Sequence, residues 1–218
     1  MSKPNFLTNS LKILKLKGKQ GISAITQAYL DLTHADKFRK VFILNEELRE
    51  EFIKYHEAYV IAIRELSNIA AEATPEYYPP GQIINLLFNQ GLYQLLKENY
   101  LMAGEKLDKA GKMDNKDVLI KIYLGIVLKK RKNYYAAEDY FLKAIELDRE
   151  NEYSWFFLGK NYLKAGKLDK ASAAFRKVET LSFYNNEIIA ETRDAFREIE
   201  RIRLKNEKKS IISRILKK

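Results

Sequence analysis

Apolar residues recur along most of this chain at helical intervals, and the breaks between the recurring stretches divide it into segments. Leu7, Leu11 and Leu14 share one helical face with Lys12, Lys15 and Lys17 around it, so residues 6–17 read as a short basic amphipathic helix, interrupted by Gly18 and Gly21. This helix either docks on the rest of the molecule or meets anionic lipid or an acidic partner. Ile22, Ile25, Tyr29, Leu32 and Phe38 mark a second helix from Ile22 to about Arg39. A third starts at Asn45, a good N-cap followed by Glu46 and Glu47, which suit the positive end of a helix. Its stripe of Leu48, Phe52, Tyr55, Tyr59, Ile63, Leu66 and Ile69 runs on to Thr74-Pro75, about 28 residues or ~40 Å. Three of the four prolines, at 75, 79 and 80, then fall within residues 74–83, the clearest boundary in the chain. The next element is expected near Ile83, because Pro79-Pro80-Gly81 is unsuited to a helix interior.

Between Val118 and Asn185 the pattern becomes periodic. The chain reads Trp155-x2-Leu158-Gly159-x2-Tyr162, then Gly166, then Ala171-x3-Phe175, and 34 residues earlier it reads Leu124-Gly125, Leu128, Ala137, Phe141 and Ala144. One more step back finds Gly91, Tyr100, Ala103, Leu107, Ala110 and Met113, although Gln90 and Gln94 replace the usual Leu and Tyr. The glycines and alanines stand where two helices of a hairpin would cross and must be small. This stretch resembles the tetratricopeptide repeat, the helix-turn-helix unit of 34 residues. The resemblance implies an all-α fold: a helical-hairpin solenoid of about three repeats plus a C-terminal capping helix, preceded by an N-terminal helical segment. The repeats fall at 84–117, 118–151 and 152–185, with the cap helix at 186–200, so that the repeat domain spans 84–200. Residues 21–73 form the N-terminal segment, with its long helix at about 45–73, because one period further back Glu57 occupies the small crossing position. Asn99, Asn133 and Gly166 are expected in the turns, since all three tolerate a left-handed backbone. In the cap, Ile188, Ile189, Phe196, Ile199 and Ile202 line one side of a half-polar helix. Beyond it Ile211, Ile212, Ile215 and Leu216 form an apolar edge among lysines and arginines, which either extends the cap or lies loose until a partner arrives.

Composition adds limits. A hydrophobic content of 46% in 218 residues is enough for a sizeable core. The absence of cysteine excludes disulfides and thiol catalysis, removes the commonest structural zinc ligands and fits a reducing compartment, so a cytoplasmic setting is expected. No run approaches the roughly 18 apolar residues of a membrane span, and lysines 12, 15, 17 and 19 interrupt the stretch where a signal peptide would need an apolar core. The net charge of +10 is concentrated at the ends: residues 1–20 contribute +5 and residues 201–218 contribute +7, which leaves −2 for the body. A nucleic-acid-binding domain would carry a basic stripe on its folded face, so nucleic acid is not an expected partner. The two basic ends are instead handles for an anionic surface.

Chemistry is sparse. His56-Glu57 resembles the start of a zinc-protease motif, but Val60 stands where the second histidine belongs, and His34 has no companions. Asp114, Asn115 and Asp117 lack the glycine and closing glutamate of a calcium loop and are expected to cap a helix near Val118. No phosphate-cradling loop or serine elbow is present, and Tyr134, Tyr135 and Tyr140 are expected to pack. No catalytic residue, metal site or cofactor is therefore assigned. The resemblance implies a concave groove lined by the first helix of each repeat. Here that line is Asn85, Phe88, Leu92 and Leu95, then Leu119, Ile122, Ile126 and Lys129, then Tyr153, Phe156, Lys160 and Leu163. Phe88 with Leu92 and Ile122 with Ile126 stand where family members that clamp acidic C-termini carry Lys and Asn, so no carboxylate clamp is expected. An apolar groove of this extent accepts a peptide or amphipathic helix from another protein, or the chain's own N-terminal helices. The expected function is a non-catalytic adaptor or scaffold in complex assembly, with a peripheral membrane scaffold held by the basic ends as the alternative.

Overall fold

A computed structural model describes residues 6–17, 21–34, 45–69, 78–182 and 185–215. Ten α-helices account for nearly all of them, and no strand occurs among the described residues, so the all-α class expected from the repeat pattern is the one found. The helices are α1 (Phe6–Ile13), α2 (Ile22–Thr33), α3 (Glu46–Ile69), α4 (Pro80–Leu96), α5 (Tyr100–Met113), α6 (Val118–Lys130), α7 (Tyr134–Leu147), α8 (Glu152–Lys164), α9 (Leu168–Leu181) and α10 (Asn186–Ile215). They divide into two compact units, Met1–Ile120 and Lys121–Lys218.

Local chemistry sets the helix ends. Asn45, Asp117, Asn133, Asn151 and Asn185 each accept a backbone N–H three residues on, at 3.0–3.2 Å, and so start α3, α6, α7, α8 and α10. The cap expected of Asp117 is thus observed. α4 begins three residues earlier than expected, because Pro80 sits in its first turn, where no N–H is needed and the fixed φ suits the helix. α2 ends at Thr33, six residues short of the expected Arg39, with residues 35–39 outside the described set, as are residues 70–73 at the expected end of α3.

The turns place the left-handed residue one position before the expected asparagines. Glu98, Lys132 and Gly166, spaced by 34, have φ of 62°, 62° and 75°. Asn133 instead caps the helix that follows. At each turn the next residue's N–H reaches back five positions, as in Lys167 to Tyr162 at 2.9 Å, and the left-handed residue's own N–H reaches back three.

In the first unit, α1 lies on α3, α2 contacts both α3 and α4, and α4 pairs with α5. The expectation that α1 docks on the body is met through buried Leu11 and Leu14. In the second unit α8 packs with α7 and α9, and α10 packs on α8 and α9. Three hairpins repeat one joint. A Cβ on Gly91 would lie 2.6 Å from Leu107, one on Gly125 2.5 Å from Phe141, and one on Gly159 2.8 Å from Phe175. Ala103, Ala137 and Ala171 are closed off from solvent in the opposing helices. Tyr135, expected to pack, is 84% exposed, because it follows the half-buried Tyr134 on the outward side of α7. No described helix is long and apolar enough to cross a membrane.

Candidate binding face

In the first unit the sequence of α4 turns Asn85, Phe88, Asn89 and Leu92 toward α2. Asn89 Nδ2 donates to Thr33 Oγ1 at 2.7 Å, and that hydroxyl donates to Tyr29 O at 2.9 Å, so a buried polar chain fixes α2 against α4. A cavity of about 90 Å³ remains beside this joint, lined among others by Thr33, His34, Asn85, Phe88, Leu92 and Leu119. Four residues assigned to the groove from sequence, Asn85, Phe88, Leu92 and Leu119, therefore meet at one small pocket, and the chain's own α2 forms its opposite wall.

Behind the pocket an aromatic stack ties three helices together. The Tyr29 hydroxyl and His56 Nδ1 share a 2.7 Å hydrogen bond, the His56 ring stacks on Tyr93 at 4.3 Å, and Tyr59 stacks on Tyr29 at 4.4 Å. Burial pushes the His56 imidazole down to about 4, against an opposing pull from Glu57, and burial pushes the Tyr29 hydroxyl up. At neutral pH both groups are uncharged, and His56 is the satisfied core histidine that its isolation in the sequence suggests.

In the second unit α8 presents Tyr153, Phe156 and Lys160 toward α10. Lys160 Nζ pairs with Glu191 at 2.7 Å and lies 5.3 Å from the centre of the Phe156 ring. Asn185 donates to Glu152 at 2.7 Å and to Tyr153 Oη at 3.1 Å. Lys129 Nζ sits 5.3 Å over the Phe157 ring. Burial lowers the Lys129 ammonium to about 7, the charges of Lys160, Lys130 and Lys164 push the same way, and Glu191 opposes them. Burial and like charge thus both favour the uncharged form of Lys129.

Leu92, Ile122, Ile126 and Phe156 are at most 2% exposed and belong to the core in this conformation. Asn85, Phe88, Leu119, Lys129, Tyr153 and Lys160 keep partial access. Sequence reasoning missed Asn89, Thr33 and Glu191. Asn89 carried a signal, a polar residue one position after an apolar face, whereas the pairing of Glu191 with Lys160 depends on where α10 crosses. Among the described residues no group of three or more His, Asp or Glu side chains is placed to hold a metal.

The tetratricopeptide repeat pattern matches residues 124–151 and 153–185, the two hairpins with the sharpest glycine and aromatic spacing. The chain carries tetratricopeptide repeats. Its paired hairpins are of the tetratricopeptide solenoid kind, and the likeness extends to solved structures. The TPR domain of Arabidopsis OM64 matches with a TM-score of 0.52 at 15% identity, covering 56% of this chain and 98% of that one. The first TPR domain of human RPAP3 matches at 0.51 and 19% identity, covering 56% and 95%. The Yersinia enterocolitica type III secretion translocator chaperone SycD matches at 0.52 and 18% identity, covering 57% and 94%. At such identities the shared property is the fold. No curated protein sequence matches the chain.

Proposed function

We propose that this tetratricopeptide repeat protein is a non-catalytic adaptor that binds a segment of another protein through the first-helix face of its repeats, in the assembly of a protein complex in the cytoplasm. The observation that carries the proposal is the pocket at Asn85, Phe88, Leu92 and Leu119, which gathers four residues of that face around an opening of about 90 Å³. A space of that size holds one side chain, not a helix, so the partner inserts a single apolar anchor from an extended segment, with the partly exposed Asn85 beside it for its backbone. The residues 84–117, 118–151 and 152–185 act as three repeats in this reading, with 21–73 supplying the wall contributed by α2 and 74–83 joining it to them.

The absence of cysteine makes a clean test available, because one introduced thiol can carry a photo-crosslinker. Leu119→Cys, beside the pocket, is expected to crosslink a partner from native extract, and Tyr135→Cys, on the outward side, is not. Asn85→Arg in the Leu119→Cys background should remove the product while circular dichroism and melting stay unchanged. Equal crosslinking from both positions, or products indifferent to Asn85→Arg, would overturn the assignment.

A further inference from the structure

The apolar residues of α10 change direction part-way along the helix. Ile188, Thr192, Ala195 and Ile199 are buried on one side, and at 3.6 residues per turn they fall within roughly 40° of one another's mean direction. Lys160–Glu191, Lys164–Glu198 and Arg203–Asp169 pairs hold this part of the helix to α8 and α9. From Arg203 to Ile215 every residue is exposed. The direction in which the packed face would continue carries Asn206, Ser210 and Ser213, which are polar and uncharged. Leu204, Ile211, Ile212 and Ile215, each about half exposed or more, lie instead about 120–160° away from Ile199. The apolar stripe has turned away from the hairpins on which the same helix rests.

Charge surrounds that stripe. Lys205 and Lys209 stand on one flank, Arg214 on the other and Lys208 at its centre, with Glu207 as the single acid between Arg201 and Ile215. A protein groove receiving the stripe would bury Lys208 and would have to supply it with a partner. At a bilayer surface no such partner is needed, because the four-carbon stem of Lys208 lies along the apolar layer and its ammonium reaches the headgroups. Clustered Lys and Arg on an exposed amphipathic helix attract anionic lipid, and isoleucine and leucine then insert at the headgroup boundary.

We propose that residues 204–215 of α10 are an interfacial anchor that lays this protein on an anionic membrane surface. The full-length chain is expected to co-sediment with vesicles of phosphatidylcholine mixed with phosphatidylserine and not with phosphatidylcholine alone, with binding that weakens as salt is raised. Ile211→Asp with Ile215→Asp, and separately Lys205→Glu with Lys209→Glu, should each lower binding about tenfold or more while leaving the melting transition in place, since all four side chains are exposed. The lysines of residues 1–20 are unchanged in both variants and serve as the internal control. Equal binding to both vesicle types, no binding, or binding untouched by either variant would overturn the proposal. So would a concentration-dependent dimer that Ile211→Asp with Ile215→Asp abolishes, because the stripe would then be meeting a second copy of the chain.

Discussion

Glu98, Lys132 and Gly166 occupy the same place in three successive turns, and only one of them is the residue that place favours. A left-handed backbone sets the Cβ of an L-residue against its own carbonyl, at about 1 kcal/mol or more, and glycine is free of that strain. Glu98→Gly and Lys132→Gly are each expected to stabilise the protein by up to about 1 kcal/mol, partly offset by the greater freedom of glycine in the unfolded chain. Gly166→Ala should destabilise by a similar amount, although its Cβ would enter open space. Thermal melts of the three single variants read both signs at once. If Lys132→Gly lowers the melting temperature, backbone strain is not what distinguishes these turns. The sequence announced Gly166, but the asparagines beside Glu98 and Lys132 pointed one residue too far, because Asn is favoured both in left-handed turns and at N-caps.

A hairpin of this kind is held by one close approach rather than by many equal contacts. Gly125 and Gly159 let α6 and α8 lie against the rings of Phe141 and Phe175, both fully buried. An added methyl would have to displace an aromatic ring already enclosed on every side, and overpacking of this type costs about 1–3 kcal/mol. Gly125→Ala and Gly159→Ala are therefore expected to lower stability by that amount. Gly81→Ala, in the first turn of α4 with no atom within 4 Å of the new Cβ, should leave stability unchanged or slightly raised. Denaturant titration of the three variants separates the effect of the crossing from that of glycine loss as such. This joint was readable in advance, since a glycine and an aromatic 16 residues apart recur in phase. What α2 and α10 do to the faces opposite those joints was not, because it depends in part on Asn89, Thr33 and Glu191, single polar residues that no period marks.

Across the molecule, the first unit contains a built-in response to acid. His56 joins Tyr29 of α2 and Tyr93 of α4 to α3, and its imidazole titrates near 4 in the folded state against about 6.5 in the unfolded chain. Between those values the unfolded state binds a proton that the folded state refuses, so stability rises with pH through the window and is lost as pH falls from about 6.5 to about 4. The full effect is at most about 3 kcal/mol for a group this buried. Amide hydrogen exchange should show α2, α3 and α4 losing protection over that range. His56→Phe is expected to flatten the dependence even if it lowers stability at pH 7, because the Tyr29 hydroxyl loses its partner. A variant that keeps the wild-type acid slope would show that another group sets it.

The 34-residue spacing of glycine, alanine and aromatic positions determined the hairpins by itself, because a crossing point tolerates only small residues and each hairpin needs a neighbour for its apolar side. The caps at Asn45 and Asp117 were equally local and equally legible. Accessibility was decided only by tertiary structure. Ile122, Ile126 and Phe156 occupy groove positions by count, yet they are closed off from solvent, while Asn85, Phe88 and Leu119 keep an opening beside α2. Periodicity fixes which face of a helix a residue is on, and only the packed chain fixes what lies over that face.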